Sequence, residues 1–495
     1  MSDYILKVDG ISKAFGGVLA LDHVSLSIKK GEIHCLAGGN GSGKSTLIKL
    51  ISGFYKPDEG IIEIDGTPHQ KLTPIESIMS GVQVIYQDLS VFPNLTVAEN
   101  IALNYELFNR TRFINWKNVR VIADEALAKI GIHIPADELV ENLSVANKQL
   151  IAISRAILHN ARLIVMDEPT TSLTRMEIET LFSIIRKLQS GGIAILFVSH
   201  KLDEVFEIAE NFTVIRNGVN VVTDSTTNVD SAKFIEYMTG RSFAPDLFVP
   251  KKNDAPPIFE VEKLCLENGF ADISFSAYPG EILGITGLLG SGRTELAKSL
   301  FGLYPADSGT IKIHGEEARI SAPGDAIRHK IAYVPEDRLT EGLFLRQPIR
   351  ENMVIANIDN LRKSDKTLNY VKIDEHVGYW RRELEIVMND PADPISALSG
   401  GNQQKVVLSK WLDIEPSVLI LNGPTVGVDV GAKYDLHRYL RSLADTMRIA
   451  VIIISDDIPE VIENCNRILI MKDGRISGEI LNSETDERAL LSAII

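Results

Sequence analysis

The sequence contains one set of short motifs twice, in the same order and at nearly the same interval. The glycine-rich strings GGNGSGKST and GLLGSGRTE begin at Gly38 and Gly287, which are 249 residues apart. The strings LSVANKQ and LSGGNQQ begin at Leu143 and Leu398, which are 255 residues apart. A repeated interval of this size predicts two copies of one domain with small insertions, rather than chance matches.

Each copy alternates short β-branched apolar runs with amphipathic stretches of helical period, which predicts an α/β fold with mostly parallel strands. We expect a first domain at residues 1–240, a linker at 241–257 and a second domain at 258–495. The linker contains SFAPDLFVPKKNDAPP, where proline and charge are concentrated and no apolar period remains. Mainly helical inserts are expected near 87–141 and 336–396. Because the tether is short, the halves meet at a high effective concentration, which favours an intramolecular pseudo-dimer.

The composition narrows the classes of protein that fit. A net charge of −15 argues against a nucleic-acid partner bound through a basic face. The longest uncharged apolar runs, at 193–198 and 449–454, are far shorter than the roughly 20 residues that cross a bilayer, and the N-terminus shows no secretion signal. Cys35, Cys265 and Cys465 have no metal-ligand spacing, so we expect them to be buried apolar residues in a reducing cytoplasm.

The first glycine-rich string has the spacing GxxxxGK[ST], with an apolar strand expected at 33–37 before it and a helix at 45–52 after it. In such a loop the backbone amides hold phosphate oxygens, while Lys44 reaches the β and γ phosphates and Ser45 binds Mg²⁺. A glycine turn beside an unrelated lysine is the alternative, and it is rare at this spacing. The predicted phosphate-binding residues are Gly38, Gly39, Asn40, Gly41, Ser42, Gly43, Lys44, Ser45 and Thr46.

Four further polar residues follow predicted strands. Asp167 ends the apolar run LIVM and can hold Mg²⁺ through water, and the adjacent Glu168 can orient or deprotonate an attacking water. Gln87 and His200 each stand where a strand meets a turn. Taken singly, an acidic pair of this kind often begins a solvated loop, and either polar residue is more often structural than functional.

In this order and spacing, the phosphate loop, Gln87, the LSVANKQ string, the acidic pair and His200 resemble the nucleotide-binding domain of ABC ATPases, twice over and across essentially the whole chain. LSGGNQQK at Leu398, VPEDR at Val334 and GVDVGAK at Gly427 further resemble the tandem ATP-binding subunits of bacterial sugar importers of the ribose, galactose and xylose type. The resemblance implies two P-loop domains, each with a RecA-like core, a mostly parallel sheet, an antiparallel β subdomain and a helical subdomain.

In this family the two domains pack head to tail, so each nucleotide lies between the phosphate loop of one half and the signature string of the other. The resemblance therefore implies one fully equipped composite site for ATP and Mg²⁺. Glu168, His200 and Gln87 would act in catalysis, and Ser45, Gln87 and Asp167 at the metal. Adenine would stack on Phe15, and the second half would contribute Ser399, Gly400, Gly401 and Asp429.

The other composite site lacks these groups. Its facing signature is Leu143-Ser144-Val145-Ala146, with side chains at both glycine positions, and Thr174 stands where an aspartate is expected. We expect this site to bind nucleotide without appreciable hydrolysis, since one lost transition-state donor alone can cost about 2.7–4 kcal/mol. The substituted positions of the second half are Arg293 for the lysine, Glu336 for the glutamine, Asn422 for the aspartate, Gly423 for the glutamate and Asp456 for the histidine.

The resemblance implies an ATP-hydrolysing translocase subunit that drives import of a monosaccharide. Its partners would be two integral membrane permease subunits and, through them, an extracytoplasmic sugar-binding protein, with one tandem chain per transporter. It would be peripheral, on the cytoplasmic face of the inner membrane. The sugar is not encoded in this subunit.

Two other functions are considered. A soluble tandem ABC ATPase acting on the ribosome or on DNA would be expected to carry a long charged helical linker or cysteine-paired zinc modules, and the sequence has neither. A regulatory module that binds nucleotide without catalysis would require defects in the first site, and no residue there suggests one.

Overall fold

The computed structural model describes residues 3–108, 115–158, 160–171, 173–242, 255–288, 290–428, 430–482 and 485–494. The chain divides into two compact units, Met1–Ala244 (unit 1) and Pro245–Ile495 (unit 2). Residues 243–254, most of the linker expected at 241–257, lie outside the described residues. No helix in the described ranges has the length and apolar character needed to span a membrane.

Unit 1 contains ten strands and eight helices among its described residues. The strands are β1 (Tyr4–Phe15), β2 (Val18–Lys29), β3 (Ile33–Ala37), β4 (Glu59–Ile64), β5 (Thr67–His69), β6 (Val82–Ile85), β7 (Leu163–Asp167), β8 (Ala194–Val198), β9 (Asn211–Arg216) and β10 (Val219–Ser225). The helices are α1 (Lys44–Ile51), α2 (Pro74–Met79), α3 (Val97–Phe108), α4 (Trp116–Ile130), α5 (Val145–Leu158), α6 (Arg175–Ser190), α7 (Leu202–Ile208) and α8 (Ser231–Thr239).

The main sheet of unit 1 has the strand order β10-β9-β3-β8-β7-β6, in which only β10 runs antiparallel to its neighbour. Every residue of β3 and β8 is buried, as expected for parallel strands that are covered on both faces. The carboxyl ends of β3, β8, β7 and β6 therefore meet at one edge of the sheet. A second, antiparallel sheet has the order β2-β1-β4-β5, and α3, α4 and α5 pack together as a helical subdomain.

Unit 2 repeats this plan. The strands are β11 (Phe259–Leu266), β12 (Phe270–Ala277), β13 (Ile282–Gly287), β14 (Ser308–Ile313), β15 (Glu316–Glu317), β16 (Ile331–Val334), β17 (Val418–Asn422), β18 (Ala450–Ile454), β19 (Arg467–Lys472) and β20 (Arg475–Leu481). The helices are α9 (Arg293–Leu300), α10 (Pro323–Arg328), α11 (Ile349–Val354), α12 (Tyr370–Glu383), α13 (Gly400–Leu412), α14 (Val430–Met447), α15 (Ile458–Asn464) and α16 (Glu487–Ile494).

The sheets of unit 2 have the orders β16-β17-β18-β13-β19-β20 and β12-β11-β14-β15. The predicted fold class is thus confirmed, including the helical character of both inserts. One difference is the first hairpin: β1 and β2 have 12 residues each, whereas β11 and β12 have 8. The shorter hairpin of unit 2 closes at the pair Leu266 and Phe270, so it lacks the tip that carries Phe15 in unit 1.

One prediction about the cysteines is wrong. Cys35 and Cys465 are buried, and burial raises the pKa of both thiols, but Cys265 is only half-buried. Cys265 follows a register shift in the pairing of β11, where its Sγ accepts a hydrogen bond from the N–H of Asp272 at 3.2 Å. The irregular pairing turns this side chain partly toward solvent.

Candidate functional site

The predicted site residues of unit 1 follow four neighbouring strand ends. The phosphate loop follows β3, His200 follows β8 by two residues, Asp167 ends β7, and Gln87 follows β6. In the register of the sheet Val198 pairs with both Leu36 and Asp167. The parallel order therefore brings the phosphate loop, the histidine and the acidic pair to one edge, with Gln87 exposed in the turn beyond them.

Two glycines of the phosphate loop are required by close packing. A Cβ on Gly38 would lie 2.3 Å from the carbonyl oxygen of Ile215. Gly43 has φ 109°, and a Cβ there would lie 2.6 Å from Leu21 Cδ2 and 2.8 Å from the oxygen of Ala20. The loop can therefore follow this path only without side chains at these positions.

Lys44 is buried at the start of α1 and points back into the loop. Its Nζ donates hydrogen bonds to the carbonyl oxygens of Gly38 at 2.6 Å and Gly39 at 3.0 Å. Within the described part of the chain, the buried hydroxyl of Ser42 has no hydrogen-bond partner. A buried cation and an unsatisfied hydroxyl in a glycine-lined turn fit the phosphates of a nucleotide.

The other predicted loop residues lie where a ligand could reach them. Asn40 and Ser45 are exposed, and Thr46 is half-buried in the first turn of α1. Gly41 has φ 76°, in the left-handed region that favours glycine, with open space around it. A metal at Ser45 would also be held by Asp167 and by the phosphates themselves.

Glu168 and His200 form a hydrogen-bonded pair, with 3.1 Å between Oε1 and Nδ1 and less than a fifth of either side chain exposed. The hydrogen bond from His200 lowers the pKa of Glu168 and outweighs the opposing effect of burial. The residue has φ 47°, unusual for a non-glycine, and its N–H donates to the oxygen of Val198 at 3.0 Å. An ionised carboxylate held in this way can orient or deprotonate water.

The adjacent carboxyl has the opposite tendency. Burial, followed by the charge of Glu168, raises the pKa of Asp167 to about 6, although Lys44 and Lys49 partly oppose this. Two neighbouring carboxyls with pKa values displaced in opposite directions indicate different roles for each. A divalent cation would offset the repulsion and keep Asp167 ionised, as the predicted Mg²⁺ role requires.

Phe15 stands at the end of β1 with 40% of its surface exposed. Its ring meets the edge of Tyr55 at 5.0 Å between centroids, and Lys13 Nζ lies 5.5 Å from the ring centre. An exposed ring supported in this way fits a stacked base. The supporting role of Tyr55 was not predicted.

The phosphate loop of unit 2 is closed by an arginine. Arg293 is 8% exposed, and its Nη1 donates to the oxygen of Gly287 at 2.5 Å. Its Nη2 lies 3.2 Å from Oδ2 of Asp456. The residue at the histidine position thus pairs with the phosphate-loop cation in unit 2, whereas in unit 1 His200 pairs with Glu168.

At the end of β17, unit 2 has the same backbone conformation as the acidic pair of unit 1, but the two residues are Asn422 and Gly423. Gly423 has φ 57°, and its N–H donates to the oxygen of Ile454 at 2.8 Å, as Glu168 does to Val198. A Cβ on Gly423 would lie 2.9 Å from Cγ of Glu336. Asn422 is buried and lines a cavity of about 330 Å³ together with Thr294 and Glu336. This end of unit 2 has room for a ligand, and Gly423 has no side chain to act as a base there.

The two signature strings differ in geometry as well as in sequence. Ser399 precedes α13, and its Oγ accepts a hydrogen bond from Asn402 Nδ2 at 3.0 Å, which leaves the hydroxyl hydrogen for another acceptor. In unit 1 the hydroxyl of Ser144 likewise accepts a hydrogen bond from its own helix, from the N–H of Asn147 at 3.3 Å, but the following residue is Val145, which is 43% exposed. The role of Asn402 was not predicted.

Gly400 and Gly401 form the first turn of α13, where backbone N–H groups have no partner within the helix. Asp429, predicted to act at the same nucleotide, lies outside the described residues. The structure therefore brings the phosphate loop, the acidic pair and His200 together at one edge of unit 1, and Ser399, Gly400 and Gly401 lie consecutively at the start of α13 in unit 2.

Comparison with known proteins was made for the whole chain. A family model described as ABC transporter matches residues 21–171 and 270–426. The ribose import ATP-binding protein RbsA of Bacillus cereus is 39% identical over 490 residues, which cover 98% of each chain. The putative ribose/galactose/methyl galactoside import ATP-binding protein 2 of Rhizobium etli is 39% identical over 489 residues, 98% of this chain and 94% of the relative.

A solved structure is also similar to part of the chain. It is the ADP conformation of MJ1267, an ATP-binding cassette of an ABC transporter, with 28% identity and a TM-score of 0.44. The similarity covers 48% of this chain and 100% of that structure.

Proposed function

The chain belongs to the ABC transporter ATP-binding family, and from that premise we propose that it hydrolyses ATP to drive the import of a monosaccharide. The relatives that match nearly its full length are named for import of ribose or of ribose, galactose and methyl galactoside. We propose two membrane permease subunits and an extracytoplasmic sugar-binding protein as its partners, with one tandem chain per transporter. In that assembly the chain is peripheral on the cytoplasmic face of the inner membrane.

The observation that carries the proposal is the pair of Glu168 and His200 beside a glycine-lined phosphate loop. Unit 1 supplies a buried cation in Lys44, a carboxylate whose pKa is lowered, and a neighbouring carboxyl, Asp167, suited to Mg²⁺. Bound Mg²⁺ would neutralise charge on the phosphates. The residues of unit 1 would hold the nucleotide, orient the water and accept its proton at Glu168.

We propose that the hydrolytic site is composite and that Ser399, Gly400 and Gly401 of unit 2 complete it, with Asp429. The N-terminus of α13 presents unpaired N–H groups and a serine hydroxyl that can donate to a γ-phosphate. In unit 1 the two glycine positions carry the side chains of Val145 and Ala146, and the exposed Val145 would keep a phosphate from approaching the backbone as closely.

A second composite site would combine the phosphate loop of unit 2 with the signature of unit 1. Arg293, buried in the second phosphate loop, can hold phosphate electrostatically. Gly423 offers no base. We propose that this site binds nucleotide and does not hydrolyse it.

The test is the substitution Glu168→Gln in the full chain, measured as phosphate release from Mg-ATP and as binding of a fluorescent ATP analogue. We expect turnover to fall at least about a hundredfold, because the base is lost while the shape is kept, and analogue binding to persist. Asp456→Asn, the matched change at the second site, should retain most of the turnover. More than a tenth of wild-type turnover in E168Q would contradict a single hydrolytic site.

The transport proposal is tested separately. The chain is purified with its membrane subunits in vesicles, and ATP-dependent uptake of labelled ribose, galactose and xylose is measured. Uptake of one of these sugars that is lost in E168Q supports the proposal, and absence of uptake for the whole panel would contradict it.

A further inference from the structure

VPEDR, at Val334 to Arg338, leads into an irregular segment that unit 1 lacks. After β16 the chain forms a π-helical turn, Arg338–Gly342. The strands before it, β6 and β16, begin 249 residues apart. The N–H of Phe92 donates to Asn100 Oδ1 and that of Phe344 to Asn352 Oδ1, both at 2.8 Å, and these counterparts are 252 residues apart. Unit 2 therefore has three extra residues here, in a type of turn that is rare and concentrated at functional sites.

The side chain of Arg338 reaches the two segments that unit 2 would contribute to the hydrolytic site. Its Nη1 donates to the oxygen of Val426 at 3.0 Å and its Nη2 to the oxygen of Gly427 at 3.3 Å. These carbonyls lie in the segment between β17 and α14. A Cβ on Gly400 would lie 2.9 Å from Nη2, so the guanidinium also packs directly against the first residue of α13.

Unit 1 has other residues at both positions that correspond to Arg338 and Gly400. With the interval of 249 residues between β6 and β16, Leu89 corresponds to Arg338. With the interval of 255 residues between the two signature strings, Val145 corresponds to Gly400. The half with the arginine has glycine at the start of its signature helix, and the half without it has valine. Glycine at 400 thus makes room for Arg338 within its own unit, independently of any phosphate.

Other contacts fix the turn that carries the arginine. Lys410, on α13, donates from Nζ to the oxygen of Gly342 at 2.7 Å. Lys298, on α9, pairs with Oε1 of Glu341 at 2.8 Å. Oδ1 of Asp337 accepts hydrogen bonds from the N–H groups of Leu339 at 2.9 Å and Thr340 at 3.2 Å. The turn is therefore attached both to the signature helix and to the helix that follows the second phosphate loop.

From these contacts we propose that Arg338 is a positioning residue for ATP hydrolysis, one that holds the start of α13 and the segment before α14 in the arrangement that the γ-phosphate at Glu168 requires. This rests on the proposed composite site. Arg338 touches neither ATP nor the attacking water in this role. Its fork of donors fixes two carbonyls at once, which a lysine ammonium cannot do in the same geometry.

The experiment measures kcat and KM for Mg-ATP in the full chain with R338A, R338K and G400A, and with R338A and G400A combined. We expect R338A to lower kcat about ten- to hundredfold, because small misplacements of donors are costly, with analogue binding to unit 1 unchanged. R338K should recover only part of the loss. The exposed Arg328→Ala, in the same unit, serves as the control for removal of a positive charge.

The double variant separates positioning from a general loss of structure. If Gly400 serves Arg338, an alanine there displaces the guanidinium, so the combined loss in kcat should be close to that of the larger single loss. Losses that multiply would overturn the proposal, as would wild-type kcat in R338A. E168Q is assayed in parallel to test the proposed function separately. Turnover retained in E168Q would contradict the single hydrolytic site, and this result does not depend on the arginine variants. If R338A unfolds, full kcat in a folded R338K would equally overturn the proposal.

Discussion

Glu460 lies in the first turn of α15 with 1% of its surface exposed. It accepts hydrogen bonds from the hydroxyls of Ser455 at 2.5 Å and Thr425 at 2.9 Å, and Nε2 of His437 lies 3.1 Å from Oε1. Burial opposes its charge, but His437, Lys433 and the serine hydroxyl together lower the pKa of Glu460 to about 2. This one carboxylate joins the end of β18 to the loop after β17.

Glu460→Gln should therefore destabilise the protein in a pH-dependent way. The folded-state pKa lies below the ordinary value, so the stabilisation is present at pH 7 and is lost as the pH falls from about 4.5 toward 2. We expect the free energy of unfolding at pH 7 to fall by roughly 2–3 kcal/mol. Denaturant unfolding from pH 7 to 3 measures it. Glu487→Gln, at an exposed position in the first turn of α16, should have little effect, and a pH-independent loss in E460Q would contradict the expectation.

At the scale of elements, α6 and α14 start at equivalent places in the two units, 255 residues apart. Thr174 caps α6: its Oγ1 accepts the N–H of Glu177 at 3.4 Å, and Glu177 Oε2 accepts the N–H of Thr174 at 2.9 Å. The sequence counterpart of Thr174 is Asp429, which we propose acts at the hydrolytic site. The cap shows that unit 1 uses this position for helix stability.

Thr174→Ala should lower the free energy of unfolding by about 1 kcal/mol, the usual effect of losing such a cap, and should leave ATP turnover at the wild-type level. Thr174→Asp keeps a capping oxygen and should restore most of the stability. Denaturant unfolding and phosphate release on the same preparations decide the matter. Turnover that drops severalfold in T174A at unchanged stability would assign the position a catalytic role instead.

Features of the fold and of the site that depend on neighbouring residues in the sequence could be predicted, and those that depend on contacts between distant residues could not. The strands at 33–37, 163–167 and 450–454 were predictable, because their apolar runs and glycine-rich ends are local. The site residues of unit 1 follow from the same strand ends. The supports Tyr55 and Asn402 were not predictable, nor was the exposure of Cys265, because each depends on a neighbour or a register shift that no local pattern specifies.

At the scale of the whole molecule, each unit builds its own hydrophobic core. In the function proposed above, neither unit contains a full set of hydrolytic groups, and unit 1 would supply the base, the buried lysine and the carboxyl for Mg²⁺. Unit 2 has the glycine signature and, at its own phosphate loop, Arg293 paired with Asp456. We infer that the functional unit is the tandem chain, in which each half has its own hydrophobic core and both halves contribute residues to one hydrolytic site.

Nucleotide stoichiometry tests that division. We expect the E168Q chain to bind two ATP molecules, and E168Q with R293A to bind one, because the arginine is the cation of the second phosphate loop. Equilibrium dialysis with labelled ATP and Mg²⁺ gives the number directly. E168Q with R328A is the matched control and should still bind two. Two bound nucleotides in the R293A variant would show that the second site does not depend on that residue.

Gly423 has a further consequence, for descent rather than for chemistry. Glutamate at the equivalent position of unit 1 is held at φ 47°, a conformation that costs a side-chain residue about 1–2 kcal/mol and costs glycine almost nothing. At Gly423 the neighbouring Glu336 now fills the space, 2.9 Å from where a Cβ would stand. A change from glutamate to glycine at such a position relieves strain, whereas the reverse change at Gly423 would introduce strain and meet the side chain of Glu336. The difference between the two units is therefore easier to gain than to lose at this position.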